Sequence, residues 1–261
     1  MRSRINKNAG KLFNTGAWPA SYGKDAMGMS PGSIRMVRSM AAHAVSGDAQ
    51  GKCPTTCIWI VLGPEQDPAL KAICDQVKMW LNIRHALPRI AIAKAWWEAR
   101  SRFNSSPNPW ATVKGSIGAT IAALHAIGWK PISPYKWITH TGDIWTHKEG
   151  GSPAAVLIEI RDHVLSSIWE YAAHHRDGVG LHGGADLTNL RKQTAKHQLT
   201  DDQNAGLLLT IAAAGLWTRS RRHEEGLCDN PICQHCGDEE QDEWHLYWSC
   251  EKLYSNSAPG I

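Results

Sequence analysis

Apolar residues recur at helical spacing over most of the chain, and this pattern predicts a mainly α-helical protein with a helical bundle-like region. Several of the expected helices begin at a capping residue or a proline, which suits a first helical turn. The expected helices run from Pro31 to about Val45, onward from Asp67-Pro68, from Pro88 to about Phe103, from Trp110 to Ile127, and from Ser152-Pro153 to about His174.

Two stretches have the pattern of β structure instead. The apolar run TTCIWIVLG within Lys52–Gly63 predicts a buried strand, and its Cys53 and Cys57 are interpreted as core residues. Tyr135–His147 alternates apolar and polar residues around Thr141-Gly142-Asp143, which predicts a small β-hairpin. The strand and the hairpin are the β structure that we expect in this chain.

The later part of the chain is predicted to form a second unit. A glycine-rich stretch within residues 177–185 has no phosphate-loop spacing and indicates a linker. Thr200–Gln203 has the pattern of a capping box and starts a helix that is expected to end in WTRSRRHEEG. The predicted organisation is a basic flexible tail over 1–30, a helical thumb- or linker-like region with the hairpin over 31–176, the linker over 177–185, a helix and metal module over 186–254, and a disordered end over 255–261.

A cluster of cysteines and one histidine lies close to the end of the chain. Cys233 and Cys236 are separated by two residues, and His245 and Cys250 by four. Zinc favours four tetrahedral sulfur or nitrogen ligands, and two short-spaced pairs joined by a loop supply them. Gly237 follows at a place where the turn between the cysteines often needs a positive φ. The spacing predicts a Cys-Cys-His-Cys site that holds a structural zinc ion.

Other interpretations of the cysteines stay open. Free cysteines are often small buried hydrophobic residues, and cysteines of secreted chains form disulfides. The chain has seven cysteines, an odd count that suits one metal site with spare thiols, and its first residues lack the apolar segment of a secretory signal. Cys228 and His235 are substitute ligands that rank below the four named above.

Composition and charge restrict the function classes. The hydrophobic content is 43% and the charged content 20%, which is typical of a globular protein. The net charge of +4 permits a nucleic-acid partner without requiring one. The densest positive cluster contains Arg219, Arg221 and Arg222, which we predict to contact phosphates. No apolar run is long enough to span a membrane, so we expect an intracellular protein, either nuclear or cytoplasmic.

The stretch LWTRSRRHEEGLCDNPICQHCGDEEQDEWHLYWSC resembles the C-terminal cysteine-histidine segment of non-LTR (LINE/R2-type) retrotransposon polyproteins, which follows their reverse transcriptase domain. The matching positions are Trp217, Arg219, Arg222, Cys233, Cys236, Glu239, Glu240, His245, Trp248 and Cys250. The stretch GSIGATIAALHAIGWKP and the hairpin after it are similar to a linker and thumb-like region of some such elements. The resemblance implies RNA or DNA as a partner, within a retroelement ribonucleoprotein.

The chain departs from that family in its carboxylates. A polymerase needs a carboxylate cluster for two metal ions, but the one Asp-Asp pair, Asp201-Asp202, lies in a predicted helix cap. We therefore expect a non-catalytic, zinc-stabilised nucleic-acid-binding fragment. The alternatives are a zinc-stapled protein-interaction or structural domain and a decayed reading frame without activity. An enzyme that uses His245 or Cys233 ranks last, because four protein ligands leave no position for water.

Overall fold

The computed structural model describes residues 7–21, 23, 27–46, 51–146, 153–175, 178–194 and 202–255. This part of the chain is mainly helical, as predicted. Its helices are α1 Lys7–Leu12, α2 Trp18–Ala20, α3 Pro31–Ser46, α4 Pro54–Val61, α5 Pro68–Ile83, α6 Arg89–Ser105, α7 Gly115–Ala126, α8 Pro153–Ala173, α9 Thr188–Thr194, α10 Asp202–Ala212, α11 Arg219–Glu224 and α12 Glu251–Ser255. Within these ranges, no helix combines the length and the apolar character that crossing a bilayer requires.

Two of the predicted helix starts are confirmed by their capping hydrogen bonds. Before α3, the Ser30 hydroxyl accepts a hydrogen bond from the Ser33 amide at 3.2 Å. Before α5, the Asp67 carboxylate accepts one from the Ala69 amide at 2.9 Å. Each side chain satisfies an amide that has no acceptor inside its helix, and the proline that follows the cap fits the first helical position. Ser152, Thr200 and Asp201, which belong to other predicted caps, lie outside the described residues.

The buried strand predicted within Lys52–Gly63 is wrong, because this segment forms helix α4. All six residues over 55–60 are buried, so the helix is surrounded by protein and needs no polar face. A short apolar run that is buried on all sides does not distinguish strand from helix by its periodicity. Pro54 at the first helical position is the local signal for the helix. The interpretation of Cys53 and Cys57 as core residues is confirmed, since both are buried.

The predicted hairpin is confirmed and has one strand more than expected. Strands β1 Lys130–Ser133, β2 Lys136–Ile138 and β3 Ile144–Thr146 form an antiparallel sheet in the order β1-β2-β3. Trp137 at the centre pairs with Pro131 on one side and with Trp145 on the other. Gly142 in the β2–β3 turn has φ +95°, which glycine adopts without steric cost. His147, the last residue of the predicted hairpin, lies outside the described residues.

Tryptophans hold the helices together around α5. Trp80 on α5 and Trp96 on α6 are fully buried, with their ring centroids 5.2 Å apart. Trp59 on α4 meets Trp169 on α8 edge to face at 4.6 Å. Large rings in these arrangements bury much apolar area and pack specifically, so they fix the crossings of the helices.

The flexible tail predicted over 1–30 is wrong for Lys7–Ala20. Helix α1, a π-helical turn at Phe13–Ala17 and helix α2 follow one another there. The Phe13 and Trp18 side chains are each 5% exposed and belong to the main core. A Cβ atom on Gly10 would lie 2.9 Å from Leu62 Cδ2, so this segment packs directly against the end of α4.

The glycine-rich stretch predicted as a boundary does not separate two cores. Leu187, Leu209 and Ala213, which follow it, are buried in the same apolar cluster as the earlier helices. The single helix that was predicted from Thr200–Gln203 into WTRSRRHEEG is interrupted in the structure. Helix α10 ends at Ala212, and Ala214 has a φ of +53°, which breaks the helix. Thr218 then caps α11 by accepting a hydrogen bond from the Arg221 amide.

Candidate metal centre

The four predicted metal ligands converge after α11. Their donor atoms all lie within 4.8 Å of one another. Cys233 Sγ is 3.9 Å from Cys250 Sγ, and Cys236 Sγ is 3.3 Å from His245 Nε2. A tetrahedral ion with Zn–S bonds of about 2.3 Å and a Zn–N bond of about 2.0 Å separates its ligand atoms by roughly 3.5 to 3.8 Å. The cluster therefore has the donor set and the spacing to hold a metal ion.

A tight turn presents the first two ligands. The Cys233 amide donates to the Glu239 carbonyl at 2.7 Å, and the Gly237 amide donates to the Cys233 carbonyl at 2.9 Å. Gly237 has φ +83°, the positive value expected from its position after Cys236. The His235 amide points at Cys233 Sγ from 3.4 Å. The turn thus directs both sulfur atoms to one side of the loop.

A π-helical turn at His245–Ser249 presents the other two ligands. The His245 amide donates to Asp242 Oδ1 at 2.6 Å, which caps the start of this turn. The Cys250 amide donates to the His245 carbonyl at 2.9 Å, so Cys250 follows directly after the turn, as predicted. Single π-helical turns often occur at functional sites because they change the direction of neighbouring side chains.

Glu239 orients the imidazole of His245. Its Oε2 lies 2.9 Å from Nδ1, and the Ser249 hydroxyl lies 3.3 Å from the same nitrogen. The other nitrogen, Nε2, therefore faces the sulfur atoms. A carboxylate that receives the second N–H of a ligating histidine fixes its tautomer and makes it a better ligand. Sequence reasoning placed Glu239 in the resemblance to a known segment but gave it no role at the metal.

The contacts within the cluster favour a thiolate on Cys233 beside an imidazolium on His245. Burial opposes ionisation of Cys233, but hydrogen bonds from the amides of Cys236 and His235 outweigh it and lower its pKa to about 6. Burial also disfavours protonated His245, but hydrogen bonds with Cys233 and Glu239 raise its pKa to about 9. Burial raises the pKa of Cys250. A metal ion that binds here must displace protons from His245 and Cys250.

The substitute ligands lie outside the cluster. The Cys228 thiol donates to the carbonyl oxygens of Arg219 and Asn230, at 3.4 and 3.3 Å. The side chain of His235 is exposed to solvent. Cys74 is a further spare thiol, and burial with the nearby Asp75 raises its pKa to about 12. In the part of the chain that the structure describes, Cys233, Cys236, His245 and Cys250 are the one group with such metal-binding geometry.

The three arginines predicted to contact phosphates have different surroundings. Arg221 is 6% exposed, and its Nη1 donates to the Ala214 carbonyl at 2.7 Å. Its guanidinium also lies 4.8 Å from the ring centroid of Trp217. The prediction for Arg221 is therefore wrong: this side chain binds the segment between α10 and α11 and is withdrawn from solvent.

Arg219 and Arg222 are more accessible. Arg219 is half-buried, and its Nη2 donates to Asn230 Oδ1 at 3.0 Å. Arg222 is exposed. Of the predicted trio, Arg222 is thus the one that can reach a phosphate without rearrangement.

Comparisons with protein-family models, with curated proteins and with solved structures found no match to this chain. The assignment of the site therefore depends on its own geometry. Four protein donors within one small volume could hold a single metal ion.

Proposed function

We propose that the chain is a non-catalytic nucleic-acid-binding fragment whose last segment is held in shape by a structural zinc ion. Three thiolates and one imidazole form a soft donor set that suits zinc. A catalytic zinc keeps one position open for water, whereas four protein ligands close the sphere. The closed Cys3His cluster thus supports a structural role for the metal.

The charge of the chain is divided unevenly, which locates the nucleic-acid surface. Residues 219–261 contain 4 Lys or Arg against 9 Asp or Glu, whereas residues 1–218 contain 24 against 15. Phosphates are repelled by the acidic metal module and attracted by the basic helical body. We therefore assign the main contact to the body, with Arg222 at the edge of the module.

An exposed face of helix α6 carries this proposal. Ile90, Lys94 and Trp97 recur at helical spacing, and Ile90 is 85% and Trp97 55% exposed. The Arg100 guanidinium lies 5.3 Å from the ring centroid of Trp97. An aromatic ring among cations binds single-stranded nucleic acid, since bases stack on the ring and phosphates meet the charges.

Fluorescence anisotropy with labelled single-stranded RNA and DNA at rising salt tests this surface. The unmodified protein should bind at low salt, with an affinity that falls steeply as salt increases. The double variant Lys94→Glu/Trp97→Ala should bind at least about tenfold more weakly, since one stacked base contributes about 1–3 kcal/mol.

The matched control is Lys78→Glu/Trp244→Ala, which changes an exposed lysine and an exposed tryptophan elsewhere. It should bind like the unmodified protein. Equal losses in both double variants would contradict the assignment to α6, and no binding to either nucleic acid at low salt would end the proposal.

The placement of this fragment in a reverse transcriptase polyprotein is supported by the motif pattern around the cluster. The four ligands and Glu239 have roles that any zinc module of this type requires. Trp217 and Arg222 are two exposed matched positions at the start of the module that the metal does not explain. We propose that these two residues face the template or target strand where the module adjoins the body.

A second candidate function, binding of a basic protein, is favoured by the surface of the metal module. Trp244 and Trp248 are 68% and 69% exposed, and their ring centroids are 6.4 Å apart. Exposed aromatic residues in an acidic setting suit the cationic side chains of a partner. In the anisotropy experiment, this function predicts no binding to nucleic acid, and instead a loss of protein partner binding in Trp244→Ala/Trp248→Ala.

The role of Glu239 gives a further expected result. Glu239→Ala should lower the affinity for zinc by about 10–100-fold, because the tautomer and orientation of His245 are no longer fixed. Competition with a chromophoric zinc chelator measures this change. Asp238→Ala is the control, since it removes an equal charge from the neighbouring exposed position. Equal losses in both variants would show that charge alone, and not the contact with His245, sets the affinity.

A further inference from the structure

A cavity of about 310 Å³ lies where the start of α4 meets α3 and the end of α8. It is far in sequence from the metal ligands and from the exposed face of α6. Its polar lining is cationic or neutral and consists of Arg38, Lys52, Thr55, Tyr171 and His175. No described carboxylate is part of that lining, so the described wall is chemically suited to an anion.

Lys52 is the unusual member of this lining. Its side chain is 7% exposed, and among the described residues it has no hydrogen-bond or ion-pair partner. A Cβ atom on Gly215 would lie 2.5 Å from Lys52 Cγ, so the glycine makes room for the lysine stem. A lysine side chain is rarely buried to this extent unless its ammonium has a charge partner. The missing counter-charge points to a ligand.

Asp67, a buried acid that contacts Arg38 in the cavity lining, is already neutralised. Its Oδ1 accepts from Arg38 Nε at 2.9 Å and from the Ala69 amide at 2.9 Å, and its Oδ2 accepts from Trp59 Nε1 at 3.0 Å. Arg38 Nη2 also donates to Thr55 Oγ1 at 2.9 Å. Asp67 thus compensates the charge of Arg38 and fixes its guanidinium in the wall of the cavity. The charge of Lys52 therefore has no partner in Asp67.

The first turn of α4 adds backbone donors to the same wall. Cys53 precedes the helix without a side-chain capping hydrogen bond, and Pro54 occupies the first helical position. The Thr55 amide therefore belongs to the first-turn amides that have no acceptor inside the helix. Helix N-termini of this kind bind phosphate groups, because free amides and the helix dipole point at the anion. The Lys52 ammonium, which has no partner among the described residues, is a second feature of the same cavity that indicates an anion, independently of the helix N-terminus.

We propose that this cavity is a phosphate-binding site, with Lys52 as the charge partner and the start of α4 as the source of backbone donors. Arg38 and His175 also line the cavity. The phosphate comes either from a small phosphate monoester or from the 5′ end of a nucleic acid, which share the same group. The inference does not depend on the α6 surface, so Lys94→Glu/Trp97→Ala should keep the site intact.

Thermal unfolding of the full chain in inorganic phosphate, against chloride at equal ionic strength, tests the site. The melting temperature should rise saturably with phosphate, because a ligand that binds the folded state stabilises it. Lys52→Met should lose this response and should be at least as stable as the unmodified protein without phosphate, since it removes a charge that has no protein partner in the described part of the chain and keeps a stem of similar size. Lys78→Met, which removes an exposed charge on α5, should keep the response.

Two results would overturn the inference: no saturable response in the unmodified protein, or an unchanged response in Lys52→Met. If Lys52→Met does not fold, chemical labelling of the unmodified protein tests the site instead. Phosphate should protect Lys52, but not Lys78, from an amine-reactive reagent, as read by peptide mass spectrometry. Equal labelling of Lys52 with and without phosphate would contradict the site.

Two further ligands distinguish the sources of the phosphate. If the source is a small monoester, a nucleoside monophosphate stabilises the protein through Lys52, and 5′-phosphorylated and 5′-hydroxyl oligonucleotides bind alike. If the source is a nucleic acid, the 5′-phosphorylated oligonucleotide binds more tightly, and Lys52→Met removes the preference. A protein that shows neither effect lacks the proposed site.

Discussion

Replacing His245 with Ala is expected to remove zinc from the purified protein and to unfold the segment after α11, while the helical body keeps its fold. The reason lies in the composition of that segment. Between residues 222 and 253, the buried side chains are those of Cys233, His245 and Cys250, so its core consists of the Cys/His cluster. So short a segment cannot bury enough apolar surface to fold without a metal or another staple.

The size of this effect follows from the linkage between metal binding and folding. Zinc binding contributes about 10–16 kcal/mol of apparent free energy to comparable modules at neutral pH, and that energy holds the fold. Loss of one of the four ligands lowers the affinity for zinc and with it this contribution to folding. We therefore expect His245→Ala to reduce the protection of residues 228–253 from amide hydrogen exchange more than any other single substitution in the chain would.

Elemental analysis of zinc and amide hydrogen exchange, applied to the same samples, measure this prediction. His245→Ala should lack stoichiometric zinc and exchange rapidly after residue 226, with unchanged protection in α5 and α8. Cys228→Ser is the matched control, because it removes a thiol of the same segment that lies outside the cluster. Retained zinc and protection in His245→Ala, or an equal loss in Cys228→Ser, would contradict the assignment of ligands.

Asp67→Ala should destabilise the helical body by about 3–5 kcal/mol, the usual effect of removing one partner from a buried ion pair. Asp67 is fully buried and pairs with Arg38, whose side chain is 12% exposed. Removal of the carboxylate leaves the guanidinium without its charge partner, the Trp59 indole N–H without its acceptor and α5 without its cap.

Urea unfolding followed by circular dichroism measures this change as a lower free energy of unfolding. The control is Glu65→Ala, which breaks the exposed ion pair with Arg161 and should cost less than about 1 kcal/mol. Similar costs for the two substitutions would show that Asp67 is not the centre of a buried network.

The convergence of Cys233, Cys236, His245 and Cys250 was predictable because the signals for it are local. Two short spacings and a following glycine determine a turn that any chain can form without distant contacts. The caps at Ser30 and Asp67 are local in the same sense, and both are confirmed. The β-hairpin was read from alternation around Gly142, whereas β1 has no such pattern and becomes a strand through its pairing with β2.

The errors concern features that tertiary packing decides. Helix α4 has an apolar run of strand length, and only its complete burial shows why a helix without a polar face is stable there. The basic, glycine-containing N-terminus gave no sign that Phe13 and Trp18 enter the core. Arg221 looked like its neighbours in sequence, yet its burial against Trp217 depends on the break at Ala214. Lys52 and Arg38 line one cavity, and their positions in the sequence do not predict this.

X-ray absorption at the zinc edge, on the purified full chain with its metal content quantified, tests the central claim most directly. The account predicts one zinc per chain with three sulfur atoms at about 2.3 Å and one nitrogen at about 2.0 Å. A shell that contains a water oxygen in place of one of these ligands would contradict a closed structural site. A chain without metal, with Cys233 and Cys250 joined in a disulfide, would contradict the zinc module altogether.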